Sequence, residues 1–184
     1  MHTALLLVDI QNDYFPGGNC ELYQSELAAE QAARALAFFR EKRMPVFHVQ
    51  HVALKPDATF FLPATRGADI HASVLPAPGE PVVVKHAPDS FFDTELSRLL
   101  EEKNITRLVV CGMMSHMCID TTVRSAKRLG YAVTLLCDAC ATKDLVFRDH
   151  RIPAQTVHGA FMAALDGTFA RVVTTDAYLS AAEG

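Results

Sequence analysis

An α/β fold, with a six-stranded parallel sheet between two layers of helices, is what this sequence predicts, and three observations lead there. Short apolar runs alternate with helical patterns along the chain. The runs are continuous rather than alternating, as expected for strands covered on both faces. The length of 184 residues, 50% hydrophobic and 21% charged, fits one globular domain over 1–184. Strand–helix alternation implies right-handed crossovers, and so a three-layer α/β/α, Rossmann-like arrangement.

Each element has its own signal. ALLLVDI (4–10) is a short apolar run and the first strand. Ser25 to Lys42 is Ala-rich with helical periodicity and ends before Pro45. VFHVQHV (46–52) is the second strand. The segment 53–80 is rich in Pro, Gly, Thr and aromatics; a loop that long in a compact domain usually forms a lid or a binding wall. PVVVKH (81–86) is a strand with Pro81 at its first position, where proline is tolerated. A helix over Thr94–Lys103 precedes a strand at 107–112, and a helix over 118–129 ends at Gly130. AVTLLCDAC (132–140) is the fifth strand. Pro153 to Leu165 is a helix with Pro near its first turn, and ARVVTTD (170–176) is the last strand.

The bulk numbers exclude several classes. A net charge of −4 gives no electrostatic reason to expect nucleic acid or an anionic membrane as partner. No apolar stretch reaches the length of a membrane span, and the opening MHTALLLVDIQNDY lacks the pattern of a signal peptide. Five irregularly spaced cysteines do not suggest a disulfide framework, so a reduced, cytoplasmic protein is expected.

In an open parallel sheet, ligands bind at the carboxyl ends of the strands, near the switch in strand order. The first strand delivers Asp9 there, and the third delivers Lys85. The fourth runs through GMMSHMC (112–118) to Cys118 at the mouth of a helix, where unpaired N–H groups and the helix dipole favour a thiolate. On placement alone Cys118 is either a small core residue or a reactive thiol. Burying Asp9 or Lys85 unpaired costs several kcal/mol, so the two are expected to share one pocket with Cys118 beside them.

With these contexts the chain resembles the isochorismatase-like cysteine hydrolases, the superfamily of nicotinamidases, N-carbamoylsarcosine amidohydrolase and isochorismatase. The matching pieces are DIQNDY (9–14), the Lys85 strand, GMMSHMC, the helix after it, and DACAT (138–142), in the family order. The resemblance implies that Asp9 is the general base, Lys85 the charge stabiliser and Cys118 the nucleophile. It also implies a cis peptide between Met113 and Met114, with the Met114 and Cys118 N–H groups forming an oxyanion hole. The activity implied is hydrolysis of a small-molecule amide or other C–N bond through a thioester, with no cofactor. Two alternatives stand beside it: an isochorismatase-type vinyl-ether hydrolase, which has no need of a cysteine nucleophile, and a non-catalytic doubly wound binding domain. The second lacks G-x-G-x-x-G after its first strand.

Gln11, Tyr14, Phe15, Phe60, Phe91 and Ser115 are candidates to touch substrate. Metal-binding relatives carry an Asp-x-His pair after the second strand. Here the stretch is His48-Val49-Gln50-His51, with both histidines expected at the strand end or surface, on opposite faces by parity, so no metal is expected. His71 is a candidate pocket residue and His116 a candidate support for the cysteine turn. Cys137 and Cys140 form a C-x-x-C match but straddle a strand end, which favours packing over redox or zinc chemistry; Cys20 and Cys111 are read as structural too. The expected partners are a small-molecule substrate and further copies of the chain, as a dimer or tetramer.

Overall fold

The computed structural model describes residues 2–183. In chain order it comprises β1 (Thr3–Val8), α1 (Ser25–Glu41), β2 (Val46–His51), β3 (Val82–Lys85), α2 (Leu96–Glu102) and β4 (Arg107–Met113). These are followed by α3 (Asp120–Arg128), β5 (Ala132–Ala141), β6 (Leu145–Phe147), β7 (His150–Ile152), α4 (Ala154–Leu165), β8 (Arg171–Val173) and α5 (Thr175–Glu183). Six strands form one parallel sheet in the order β3-β2-β1-β4-β5-β8. The chain winds outward from β1 to β3, then crosses back to β4 on the other side of β1. The switch point therefore lies between β1 and β4, and it is there that a ligand site is expected.

Two cores sit on the two faces. Leu5, Leu7, Val46 and Val109 pack under α1 and α5, and Leu6, Val8, Phe47 and Val110 pack under α2, α3 and α4. The buried stripe of α1 is Ala28, Ala32, Ala35, Leu36 and Phe39, whose small members let the helix lie close on the sheet. Each fully buried Leu or Phe stabilises the fold by roughly 1.5–3 kcal/mol.

Three elements differ from the sequence expectation. The first strand stops at Val8 rather than residue 10, because Asp9 takes a left-handed φ of 53° and turns the chain. The last strand ends at Val173, and Thr175–Glu183 is a helix. Its β-branched approach, VVTT, reads as strand, but the Thr174 hydroxyl accepts from the Ala177 N–H at 3.2 Å and starts the helix. Asp138 Oδ1 also accepts from the Thr175 N–H and hydroxyl, both at 2.8 Å, and Tyr178 stacks on Phe39. The antiparallel hairpin β6–β7 has no Asn-Gly or Gly signal, since Arg148 itself adopts φ 54° at its turn.

The long 53–80 segment is irregular, with two short 3₁₀ turns at Arg66–Ala68 and Ala72–Val74. It is tied to the site loop by buried Asp13, whose Oδ2 accepts from the Phe61 N–H at 2.6 Å and Oδ1 from the Asn19 N–H at 3.1 Å. Gly67 passes so close that a Cβ would lie 2.3 Å from the Asp13 carboxylate. Among the described residues, no helix is long and apolar enough to cross a membrane.

Candidate active site

Three strand ends bring Asp9, Lys85 and Cys118 together. Asp9 follows β1, Lys85 closes β3, and Cys118 lies in a π-helical turn, Ser115–Ile119, between β4 and α3. The peptide bond between Met113 and Met114, at the start of that turn, is cis. Lys85 Nζ lies 2.8 Å from Asp9 Oδ2 and donates to Cys118 Sγ at 3.1 Å, and all three side chains are buried.

The ammonium has three N–H bonds, and their directions matter. They go to Cys118 Sγ, to the Ala87 carbonyl at 3.0 Å and to His51 Nδ1 at 3.1 Å. The contact with Asp9 is thus an ion pair without a well-aligned hydrogen bond, and neither Asp9 oxygen has a hydrogen-bond partner. Burial opposes the charge on Lys85, but Asp9 and Cys118 outweigh it and hold its pKa above the ordinary value. Burial, then the Asp9 charge, push the Cys118 thiol well above its ordinary range, with Lys85 pulling the other way. The sulfur thus lies between the Lys85 ammonium, which favours its charged form, and the Asp9 carboxylate, which disfavours it.

His51 closes β2, as the sequence suggests, but it is half-buried beside the site rather than a surface residue. It is the register partner of Lys85 across β2 and β3, which places both side chains on one face at the site. Burial, then the positive charge of Lys85, lower its pKa to about 4, so the ring is neutral. His48 does point the other way, as parity requires, and it is buried rather than at the surface, with Nε2 on Glu80 Oε2 at 2.8 Å. Glu80 is also held by Arg40 through two hydrogen bonds at 2.8 Å.

The substrate candidates divide. Tyr14 is buried at the site: after burial itself, the charges of Cys118 and Asp9 raise its pKa, and its ring packs 4.6 Å from Phe61 and 5.9 Å from Phe60. Phe60 lines the same aromatic group. Gln11 is instead fully used within the protein, donating to His51 O and Ala68 O and accepting from the His51 N–H, all at 2.7–2.8 Å. Phe15 is buried in a stack with His71 at 3.6 Å, which occupies both rings. Phe91 stacks on Tyr131 just before β5, at the amino end of the sheet, so it belongs to the packing there rather than to the site. The Ser115 hydroxyl is bound to Ala141 O at 3.2 Å and His158 Nδ1 at 2.9 Å; it fixes the cysteine turn rather than facing a ligand. His116 does similar work, with Nδ1 2.6 Å from the Thr142 hydroxyl.

His51, Asp13, Thr142 and His158 are thus residues that sequence reading missed. For His51 a signal existed: β2 and β3 both end in a polar residue, and parallel pairing puts such ends side by side. Cys111 and Cys140 are buried in the cores with Cys137 packed beside them, and all five cysteines are free. The donor atoms of Asp9, His51 and Cys118 lie within 4.8 Å of one another, the one such set among the described residues. Lys85 Nζ is in contact with each of them, so a cation already occupies the centre of that set.

Fold and cluster together define a doubly wound α/β protein with an acid, an amine and a thiol at its switch point. The isochorismatase domain model matches residues 3–177. The isochorismatase family protein YddQ of Bacillus subtilis (strain 168) is 55% identical over 97% of this chain and 99% of its own length. Streptothricin hydrolase of Streptomyces noursei is 37% identical over 77% of this chain and 50% of its own. A solved chain from Oleispira antarctica superposes with a TM-score of 0.94 at 47% identity, covering 97% of this chain and 96% of that one. The chain belongs to the isochorismatase family, and so to the hydrolases.

Proposed function

We propose that this hydrolase cleaves a C–N bond of a small non-peptide amide or carbamoyl compound, with Cys118 as nucleophile, Asp9 as general base and acid, and Lys85 as charge stabiliser. The observation that carries the reading is the buried Asp9 carboxylate without a hydrogen-bond partner beside a thiol that Lys85 already contacts. The Cys118 thiol gives its proton to Asp9 as sulfur attacks the carbonyl carbon, forming a C–S bond and an oxyanion. The Met114 and Cys118 N–H groups are assigned to hold that oxyanion, a contribution of roughly 3–4 kcal/mol per donor in comparable sites. Collapse breaks the C–N bond, and the amine leaves with the proton from Asp9. Water, losing a proton to Asp9, then hydrolyses the thioester, and that proton returns to sulfur. Tyr14 and Phe60 are the aromatic wall available to the substrate. No step needs a metal or organic cofactor.

Oligomerisation belongs to the same reading. Val146 and Phe147 on the β6–β7 hairpin are 72% and 65% exposed, an apolar pair that a second copy of the chain would cover. A panel of small amides and carbamoyl compounds, screened for ammonia release, tests the activity. Cys118→Ala should abolish release from any compound that the native protein hydrolyses, and Asp9→Asn should lower it by about 10²–10⁴-fold. Retention of near-normal release by Cys118→Ala would sink the covalent mechanism.

A further inference from the structure

We infer that His51 is a positioning residue: as a neutral acceptor it holds one N–H of the Lys85 ammonium away from Asp9, and Gln11 holds His51 in place. The inference rests on the hydrolase reading above and adds a residue to it.

Four observations converge. His51 and Lys85 are register partners at the ends of adjacent parallel strands, so their side chains emerge together on one face. His51 Nδ1 is 3.1 Å from Lys85 Nζ, which makes Nδ1 the acceptor and places the ring proton on Nε2. The backbone of His51 is clamped at both ends of its peptide groups by one side chain. Gln11 Oε1 accepts from the His51 N–H, and Gln11 Nε2 donates to the His51 carbonyl, each at 2.8 Å. Gln11 is itself anchored to Ala68 O at 2.7 Å and lies two residues after Asp9 in the same buried turn. The ring of Phe61 lies 5.8 Å from that of His51, which limits its swing.

The chemical consequence comes from counting protons. With His51 present, the three N–H bonds of Lys85 are spent on His51, Ala87 and Cys118. Asp9, only 2.8 Å away, receives the charge of the ammonium but no aligned hydrogen bond. Remove the acceptor at 51 and one N–H is orphaned in a buried site, and the nearest strong acceptor is Asp9. An ammonium turned to Asp9 engages the carboxylate in a direct hydrogen bond and leaves the sulfur without its donor. Both changes slow thiolate formation. The other charged or titratable groups facing His51 are Asp9, His86 and Cys118. The ring of His86 is occupied, its Nδ1 lying 2.7 Å from the Val52 carbonyl.

The test uses the full-length protein and needs no known substrate. Alkylation of Cys118 by iodoacetamide is followed site by site by mass spectrometry, with thermal unfolding as a check of the fold. His51→Leu, which removes the acceptor, should slow alkylation at Cys118 roughly tenfold or more, the scale expected for losing a hydrogen bond to a charged group. His51→Asn, whose side-chain oxygen falls near the position of Nδ1, should stay within about threefold of the native rate, since the hydrogen bond is kept. Should the Leu variant fail to fold, His51→Phe removes the acceptor and keeps the ring shape. With an amide substrate in hand, the loss should fall on kcat and leave KM unmoved. A native rate in His51→Leu or His51→Phe overturns the inference, and so does an Asn variant as slow as the acceptor-free one. Lys85→Met separates the two readings. If it leaves alkylation of Cys118 unchanged, the hydrolase mechanism itself fails; if it slows alkylation while position 51 is silent, only the role of His51 fails.

Discussion

Gly112 on β4 and its register partner Val8 on β1 approach so closely that a Cβ at 112 would sit 1.9 Å from the Val8 carbonyl oxygen. The φ of Gly112 is +131°, a region that side chains rarely enter. This contact brings the start of the cysteine turn against the end of the strand that carries Asp9. Glycine is required here on both counts, space and backbone.

Gly112→Ala should therefore cost roughly 3 kcal/mol or more of stability, through the clash and the positive φ together. For a domain of this size that lowers Tm by about 6–12 °C. Because the displaced segment leads directly to Cys118, the rate of alkylation there should fall as well. Thermal unfolding of the variant beside the native protein measures the first effect. A melting curve unchanged from the native would mean that β1 and β4 can separate at no cost.

The resting state of the sulfur sets the pH dependence of activity. Burial and the Asp9 charge hold the Cys118 thiol well above its ordinary range, and in the proposed mechanism its proton leaves by transfer to Asp9. The rate on an amide substrate should accordingly show no rise tracking an ordinary cysteine near pH 8.5. Asp9→Asn, which keeps the shape and removes the base, should lower kcat by about 10²–10⁴-fold. A pH–rate profile of the native protein and the variant decides this. A limb with the pKa of a free thiol would contradict the proton transfer described.

The sequence was most legible where chemistry and period coincide. The continuous apolar strands, the Ala-rich α1 and the charged ends at Asp9 and Lys85 all announce a parallel sheet with a site at its switch point. What stayed hidden depends on pairing across distance. Nothing local distinguishes His51 from a surface histidine until β2 and β3 are aligned in register. Gln11 looks like a ligand contact because it is polar and follows Asp9, yet its three hydrogen bonds go to backbone brought in from β2 and the 66–68 turn. Phe91 is placed near the mouth by sequence proximity to Lys85, but the chain has already turned toward the amino end of the sheet by that point. The hairpin β6–β7 was invisible because an arginine supplies the left-handed residue that glycine or asparagine usually provides.

Glu80 provides a stability test independent of catalysis. Burial raises its pKa, but the Arg40 hydrogen bonds, the Ala77 N–H and His48 outweigh burial and bring it down to about 2. A carboxylate depressed in the folded state contributes stability that is complete above its unfolded pKa, about 4.3, and is lost as pH falls toward the folded value. His48 acts in the same direction: burial lowers its pKa, so folding loses ground as pH drops below the unfolded histidine value near 6.5. The native protein should lose stability progressively from about pH 6 downward, with the Glu80 share, roughly 2–3 kcal/mol, going between about pH 5 and 2. Glu80→Gln should melt lower at pH 7 and show a flatter acid limb. Equal acid sensitivity in both proteins would remove Glu80 as the anchor joining α1, β2 and the end of the 53–80 segment.

Metal dependence is the sharpest way to separate this site from the metal-binding pattern that its histidines might suggest. A divalent ion needs several oxygen, nitrogen or sulfur ligands converging on one open point. His48 and His51 cannot supply it together, since one is turned to Glu80 and the other to Lys85 on opposite faces of β2. Asp9, His51 and Cys118 do converge, but on the amine of Lys85, which contacts all three at 2.8–3.1 Å. An incoming ion would have to displace a buried ammonium whose pKa its neighbours raise, so it would compete with protonated lysine for the same ligands. Hydrolysis should therefore be unaffected by extended EDTA treatment, and elemental analysis of active protein should find no stoichiometric zinc, iron or manganese. Added zinc should inhibit rather than activate, by drawing the thiolate and His51 away from Lys85. Activity lost to the chelator and restored by one of these ions would reassign His51 from lysine positioning to metal ligation, and the proposed mechanism would have to be rebuilt around that ion.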